Sequence, residues 1–509
     1  MKLYNTLTKK IEEFIPINEG KVGLYACGPT VYDYSHIGHL RKYVMDDVLI
    51  RTLKRLYDVK FVQNITDVGH LASDSDTGED KLEKGAKKYG QSVWDIAKNF
   101  TNYFHYSMDL MGNLEPDITA VVTDHIQEQL DLVIKLEEKS FTYVVEGDGV
   151  YFDTSKFPDY GKMAGLNLKS QQEGARVEKV VDKRNPADFA LWKFEREGEN
   201  RIMVWESPWA KRSFPGWHIE CSAIGMKYLG EQFDVHTGGI DHIPVHHTNE
   251  IAQSEAVTGK SPFVKYWVHH NFLKVNGQKM SKSLGNFYTI DDVIERGFSP
   301  RALRLLFLTA HYQSEMNFTW ENLAGAQKSY EKLLKLVVDL GEKAEDESEI
   351  GGGGEADAKG AGDETGGLVS GTSEESDISA EFKAKFFNAL AENLNTPQAL
   401  AVLWKLTKSN EINDSEKLSL LLSFDEIFQL DLSRAGQVLK EIQSVKRNGD
   451  DDYSDDSAKL PEEITQILEE REAARKNNDW QKSDQLRELL AEKGYKVFDS
   501  SEGQKVENI

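Results

Sequence analysis

A short apolar strand, a glycine-containing turn and a long helix follow one another near the start of this 509-residue chain. Leu24 to Ala26 is typical of a buried strand, Gly28 lies in the turn, and apolar residues recur at helical spacing from Leu40 to Leu56. Free backbone amides and the positive end of the helix dipole attract phosphate at such a corner. The segment therefore predicts the phosphate-binding corner of a nucleotide-binding α/β fold.

Two motifs far apart in the sequence fit contacts to a polyphosphate. His36-Ile37-Gly38-His39 stands at the predicted start of the helix, and Lys279-Met280-Ser281-Lys282-Ser283 follows about 240 residues later, after a turn-like Asn276-Gly277. Two lysines in a loop rich in serine and glycine suit a mobile clamp on phosphate groups. Packing roles for the two histidines are the alternative interpretation.

Cys27 and Cys221 are the only cysteines in the sequence. His246 and Glu250 are four residues apart, so in a helix their side chains would project from one face. Two thiolates, an imidazole and a carboxylate are competent zinc ligands. The alternative is two ordinary buried cysteines beside a solvated helix. Spacing alone favours that alternative, because neither cysteine belongs to a C-x-x-C pair.

Taken together and in this order, the motifs resemble a known family. His36 to His39 followed by Lys279 to Ser283 is similar to the signature pair of class I aminoacyl-tRNA synthetases, and the sequences around both cysteines and His246 resemble cysteinyl-tRNA synthetases. The resemblance covers about Met1 to Trp320 and continues more weakly to the C-terminus. It implies activation of L-cysteine with ATP and Mg²⁺, followed by transfer to the terminal ribose of cysteine tRNA.

The resemblance also implies a role for each candidate residue. It implies that the substrate thiol binds a zinc ion as an added ligand, which would distinguish cysteine from serine. For Asp241 a turn-capping role is the alternative, and for Thr66 and Trp217 a place in the core. By role, the implied residues are His36, His39, Lys279 and Lys282 for catalysis; Gly38, His39, Asp241 and Lys282 for ATP; Thr66 and Trp217 for cysteine; and Cys27, Cys221, His246 and Glu250 for one Zn²⁺.

The expected fold is α/β, with a Rossmann-like parallel-sheet catalytic domain, an inserted subdomain and an all-α C-terminal region to which the resemblance assigns anticodon binding. Residues 342–377 hold 12 acids against 2 bases and a run of four glycines, a composition that predicts a disordered linker. The expected segments are 1–115, the first half of the catalytic domain; 116–205, the inserted connective subdomain; 206–320, the second half with the zinc site and lysine loop; 321–450, a helical domain interrupted at 342–377; and 451–509, the small anticodon-binding domain.

The formal charge of −24 requires any tRNA-binding surface to be a local basic patch, because phosphate attracts lysine and arginine. The sequence lacks an N-terminal apolar h-region and an apolar run of about 18 residues. Two lone cysteines fit a reducing compartment. We therefore expect a cytoplasmic protein without membrane segments, acting as a monomer.

Two rival functions remain open. One is a ligase that joins cysteine to a small-molecule amine; the helical extension beyond Trp320 argues against it, because a small acceptor needs no anticodon contact. The other is a non-catalytic zinc- and nucleotide-binding regulator.

The chain also departs from the family's Thr-Asp-x-Asp-Asp-Lys pattern, because a polar loop separates Thr66-Asp67 from Glu79-Asp80-Lys81. The resemblance therefore implies no role for Glu79 and Asp80.

Overall fold

The computed structural model describes residues 1–69, 80–165, 183–351, 376–446, 462–476, 479–493, 495–500 and 503–508. The chain divides into a larger unit, Met1–Gly449, and a smaller one, Asp450–Ile509. The polar loop that follows Gly69 lies outside the described residues. Within them, no helix has the length and apolar character needed to cross a membrane.

The strands, in chain order, are β1 (Lys2–Asn5), β2 (Lys10–Glu13), β3 (Lys21–Ala26), β4 (Asp58–Ile65), β5 (Ile118–Val121), β6 (Thr142–Val145), β7 (Gly149–Phe152), β8 (Phe189–Phe194), β9 (Ser213–Pro215), β10 (Phe233–Gly239), β11 (Val264–His270), β12 (Leu273–Val275), β13 (Gln278–Lys279), β14 (Met316–Phe318), β15 (Tyr495–Ser500) and β16 (Gly503–Asn508). The α-helices are α1 (Ile37–Lys54), α2 (Lys81–Tyr89), α3 (Val93–Met111), α4 (Ile126–Glu138), α5 (Trp217–Leu229), α6 (His246–Thr258), α7 (Ile290–Glu295), α8 (Pro300–Leu308), α9 (Trp320–Gly351), α10 (Asp377–Ala391), α11 (Thr396–Thr407), α12 (Asp414–Phe428), α13 (Ala435–Lys446), α14 (Glu462–Lys476) and α15 (Trp480–Glu492).

A five-stranded parallel sheet forms the centre of the larger unit. Its strand order is β11-β10-β3-β4-β5, and every neighbouring pair is parallel. The apolar side chains of β3 and β4 are buried, as expected for strands covered on both faces. The predicted α/β parallel-sheet fold is therefore confirmed. Ligands of such sheets bind at the carboxyl ends of the strands.

The inserted subdomain is a four-stranded antiparallel sheet of order β6-β7-β8-β9. Its bounds differ from the predicted 116–205. Strand β5 pairs with β4 in the central sheet, so the first half of the catalytic domain continues through Val121. Strand β9 pairs with β8, so the inserted sheet continues to Pro215. Both strands are only three or four residues long, and their sheet membership depends on distant partners rather than on local sequence pattern.

The region after the catalytic domain is helical, as predicted. Helix α9 continues through Gly351, so residues 342–351 of the predicted linker are helical. Glutamate, lysine and alanine dominate residues 342–347 and favour helix even where few apolar residues occur. Residues 352–375 lie outside the described part. The smaller unit pairs α14 and α15 with the antiparallel hairpin β15–β16, a β element that the all-α expectation did not contain.

A buried arginine ties helix α1 to the helical region. The Arg304 side chain is 0% exposed, donates to the carbonyl oxygens of Met111 and Phe428 at 3.0 and 2.5 Å, and forms an ion pair with Asp47. Asp47 also accepts from Arg51 Nε at 2.9 Å. One carboxylate of α1 therefore compensates a charge that lies between α1, α3 and α12.

We expect Asp47→Asn to lower the free energy of unfolding by about 3–5 kcal/mol, because it leaves the Arg304 charge buried without its counter-ion. Thermal unfolding followed by circular dichroism measures the change. Glu426→Gln is the matched control: it removes the carboxylate of an exposed pair with Arg55 and should shift stability only slightly. Equal effects of the two substitutions would contradict this account of Arg304.

Candidate active site

The carboxyl ends of three neighbouring strands place the predicted site residues at one edge of the sheet. Cys27 follows β3, Thr66 follows β4, and Asp241 follows β10 in a short 3₁₀ turn. Helix α1 begins just beyond this edge, with His36 as its N-cap residue. These residues, up to 214 positions apart in the sequence, thus belong to one face of the domain.

His36 and His39 cap the start of α1 reciprocally. His36 Nδ1 accepts hydrogen bonds from the backbone N–H groups of Gly38 and His39, at 3.1 and 3.3 Å. The His36 N–H donates to His39 Nδ1 at 3.4 Å, and the two rings stack with centroids 3.5 Å apart. Because both Nδ1 atoms accept, the proton of each neutral ring belongs on Nε2.

Both histidines are neutral at physiological pH. Burial lowers the pKa of His36 to about 4, against a smaller opposing effect of its backbone hydrogen bond. Desolvation also lowers the pKa of His39 well below its usual value, although part of the residue is exposed, and a positive charge on His36 would lower it further. Two rings stacked this closely disfavour protonation of both at once, because the two charges would repel. Each ring therefore offers an Nε2–H donor without carrying a positive charge.

The lysine loop contacts the histidine pair directly. The Ile37 N–H donates to the Tyr288 carbonyl at 2.8 Å, and the Phe287 ring meets His36 edge-on with centroids 5.0 Å apart. Lys282 forms an ion pair with Asp33, which the sequence did not single out, and its Nζ lies 4.8 Å from the Phe287 ring. Lys279 is exposed in β13. The loop thus brings a lysine within reach of the histidine pair.

Arg41 links α1 to both strands that support the lysine loop. Its buried guanidinium donates to the carbonyls of Asn271 and Phe272, just before β12, at 2.8 and 3.2 Å. It also donates to the carbonyls of His311 and Ser314, before β14, at 3.0 and 2.7 Å. Burial lowers its pKa to about 10. One side chain therefore sets the position of the histidine pair relative to the lysine loop.

The four predicted metal ligands lie together. One ligand atom from each of Cys27, Cys221, His246 and Glu250 falls within 4.8 Å of the others, and all four residues are buried. Helix α6 does place His246 and Glu250 one turn apart, with His246 Nε2 at 3.1 Å from Glu250 Oε1. A second set, in which His236 and His247 replace Cys221 and His246, satisfies the same distance limit.

Buried histidines that sequence reasoning missed surround these ligands. His236 Nε2 lies 3.0 Å from Glu250 Oε2, and His247 Nε2 lies 3.2 Å from Cys27 Sγ. His269 Nε2 in turn lies 2.7 Å from His247 Nδ1. Ring nitrogens in contact with ligand atoms are typical of the outer shell that orients a metal site. The distances admit both ligand sets, and two thiolates make the set with Cys221 and His246 the softer one.

The pKa values of the two buried thiols shift in opposite directions. Burial opposes ionisation of Cys27, but the hydrogen bond from Cys221 and the positive potentials of His247 and His236 bring its pKa well below the usual value. The same hydrogen bond, followed by burial, raises the pKa of Cys221 well above its usual value. A cation would allow both to be thiolates. Two thiols, an imidazole and a carboxylate, closely grouped and buried, fit a tetrahedral zinc ion.

The remaining predicted residues border this cluster. The Trp217 ring lies 4.5 Å from the His246 ring, measured between centroids, at the first position of α5. The buried Thr66 hydroxyl donates to Glu220 Oε2 at 3.0 Å and accepts from Asn64 Nδ2 at 2.9 Å. Asp241 is exposed and raises the pKa of His39, against the larger effect of burial. Glu220, a buried carboxylate next to Cys221, was not predicted.

Comparisons with known proteins show what this chain is similar to over most of its length. A family model described as "tRNA synthetases class I (C) catalytic domain" matches residues 13–328, and one described as "Cysteinyl-tRNA ligase anticodon binding domain" matches residues 457–506. A Treponema denticola protein named "Cysteine--tRNA ligase" is 42% identical over 509 residues, which cover 98% of each chain. "Cysteine--tRNA ligase 1" of Burkholderia lata is 42% identical over 508 residues, covering 99% of this chain and 96% of its own.

Solved structures share the fold at low sequence identity. Mycobacterium tuberculosis methionyl-tRNA synthetase bound by methionyl-adenylate has a TM-score of 0.52 and 15% identity, covering 83% of this chain and 93% of its own. The leucyl-tRNA synthetase of an Agrobacterium radiobacter ternary complex has a TM-score of 0.55 and 12% identity, covering 84% of this chain and 86% of its own.

Proposed function

The chain belongs to the cysteinyl-tRNA synthetase family of class I tRNA synthetases, and from that premise we propose which of its residues carry each part of cysteine–tRNA ligation. The enzyme activates cysteine with ATP and joins it to tRNA. The observation that carries the assignment is the meeting of the neutral histidine pair, the lysine loop and the cysteine cluster at one sheet edge. The expected partners are ATP with Mg²⁺, L-cysteine and cysteine tRNA.

In the first step the cysteine carboxylate attacks the α-phosphate of ATP and pyrophosphate leaves. The Nε2–H groups of His36 and His39 donate to phosphate oxygens as negative charge builds on them, and their neutrality avoids titration near pH 7. Lys279 and Lys282 hold the β- and γ-phosphates. Asp241 contacts the adenosine ribose. Catalysis here consists of positioning and charge stabilisation.

Selection of cysteine depends on the metal cluster. Cys27, Cys221, His246 and Glu250 would hold one zinc ion, which supplies a soft site for the substrate thiolate that serine's hydroxyl cannot match. Trp217 packs beside His246 and covers the amino acid, and Thr66 with Glu220 lies on the side that receives its ammonium. His236 and His247 orient Glu250 and Cys27.

Pyrophosphate exchange into ATP, assayed with purified protein, tests the first step. The exchange should require cysteine, and serine should not support it. Transfer of labelled cysteine to tRNA tests the second step and separates this function from ligation to a small-molecule amine. The match of residues 457–506 to an anticodon binding domain supports the tRNA acceptor. Exchange without transfer to any tRNA would overturn the proposal.

Gly38 allows the close packing of the histidine cap. A Cβ at this position would lie 3.0 Å from both Cε1 and Nδ1 of His36. We therefore expect Gly38→Ala to displace the His36 ring and lower the kcat of adenylate formation about tenfold or more, with little change in thermal stability. Gly325→Ala in α9, whose Cβ would meet no atom within 4 Å, is the control. A large loss of stability in Gly38→Ala would mean that the residue is needed for folding instead.

A further inference from the structure

A row of contacting aromatic rings lies beside the histidine cap, and it combines three exposed tyrosines with the buried Phe100 and the partly buried Tyr103. Measured between ring centroids, Tyr89 lies 5.8 Å from Phe100, Phe100 lies 5.0 Å from Tyr34, Tyr34 lies 4.7 Å from Tyr103, and Tyr103 lies 6.0 Å from Tyr106. We call these five residues the aromatic strip. Tyr34, Tyr89 and Tyr106 are 42%, 37% and 47% exposed. The strip thus joins exposed aromatic side chains from α2, α3 and the loop before α1.

The middle of the strip lies next to the histidine cap in the sequence. Tyr34 precedes the cap residue His36 by two positions and follows Asp33, the ion-pair partner of Lys282. At one end of the strip, Tyr106 lies close enough to Asp291, in the first turn of α7, for that carboxylate to raise the pKa of its hydroxyl, after the larger effect of burial. The strip therefore spans the space between α2 and the helix that follows the lysine loop.

Basic side chains accompany the rings at the α2 end. Lys88 Nζ lies 4.6 Å from the Tyr89 ring centroid and 2.9 Å from its hydroxyl oxygen. That hydrogen bond raises the pKa of Lys88, and the negative charge of Asp33 raises it as well. Lys84 and Lys87 are exposed on the same helix. Ammonium groups among exposed aromatic faces are typical of surfaces that bind single-stranded nucleic acid.

We propose that the aromatic strip is a stacking surface for the unpaired 3′ end of the tRNA as it enters the active site. The inference rests on the proposed function, because the second step must bring the terminal ribose hydroxyl to the carbonyl carbon of the adenylate, with AMP as the leaving group. Only an unpaired strand presents base faces to such a strip. Lys88 lies where it attracts the strand's phosphates.

The test uses the full-length chain and separates the two steps. Tyr89→Ala and Tyr106→Ala should each raise the KM for tRNA in aminoacylation about tenfold, whereas Tyr→Phe substitutions retain the ring and the parental KM. Cysteine-dependent pyrophosphate exchange should change less than about twofold, because it involves no nucleic acid strand. Trp94→Ala is the matched control: Trp94 is equally exposed on α3 but is not part of the strip.

A second readout is the fluorescence of tRNA that carries 2-aminopurine in place of its terminal adenine. Binding to the parent should quench it, and binding to Tyr106→Ala should quench it less. An unchanged KM and unchanged quenching in both alanine variants would overturn the inference, as would a parallel loss of exchange. If the alanine variants change only the self-association of the chain, measured by sedimentation, the strip is a contact between copies, and the inference is overturned. Failure of the parent itself to exchange would count against the proposed function.

Discussion

Replacing Lys282 with alanine should lower the rate of cysteinyl-adenylate formation by about 10²–10³-fold while cysteine binding stays nearly unchanged. The Lys282 ammonium pairs with Asp33 in the present structure, and the histidine pair begins three residues further on, at His36. When ATP binds, its terminal phosphates compete with the Asp33 carboxylate for this charge. Under the proposed assignment, the lysine would then stabilise charge that appears as pyrophosphate leaves, which would be a transition-state contribution.

Single-turnover adenylate formation measures the rate, and equilibrium titration with cysteine measures binding. Lys274→Ala is the control, because Lys274 lies on the neighbouring strand β12 and pairs with the exposed Glu315. It should leave the rate within about twofold of the parent. If Lys282→Ala weakens cysteine binding as much as it slows the reaction, the loop has a structural role and the assignment of Lys282 fails.

Local sequence was sufficient to predict features that depend on a single helix or on one strand and its adjoining turn. The strand, turn and helix around Gly28 predicted the nucleotide corner, and the four-residue spacing of His246 and Glu250 predicted ligands on one helix face. The resemblance supplied the long-range pairing of Cys27 with Cys221, which spacing alone did not favour. The structure brings these four residues together, and the assignment of zinc to them remains a proposal.

Features that depend on tertiary packing were missed. His236 and His247 belong to a strand and a helix, and neither has a local signal for contact with Glu250 or Cys27. The pairing of Asp33 with Lys282 joins residues 249 positions apart. Arg41 was missed because its partners are backbone carbonyls. Every residue has one, so no residue type in the sequence indicates the contact. The bounds of the inserted subdomain depend on two short strands whose partners lie elsewhere in the chain.

Replacing Cys27 with serine should weaken metal binding by at least about 100-fold, because it exchanges a soft anionic ligand for a hard neutral one. Cys27 is buried among Cys221, His246 and Glu250, and His247 Nε2 lies 3.2 Å from its sulfur. Serine keeps the side-chain volume nearly constant, so the loss reports ligand chemistry rather than packing. Zinc release to a chromogenic chelator measures affinity without requiring activity.

Cysteine affinity should fall together with metal affinity, and ATP affinity should stay close to that of the parent. His236→Asn is a graded comparison, because it removes a contact to Glu250 Oε2 but no predicted ligand, and should cost about 10–100-fold in metal affinity. In the cobalt-substituted parent, added cysteine should strengthen a sulfur-to-metal charge-transfer band, and added serine should not. If cysteine is activated without any change in the cobalt spectrum, the metal has a structural role, and selection against serine must come from the shape of the pocket around Trp217 and Thr66.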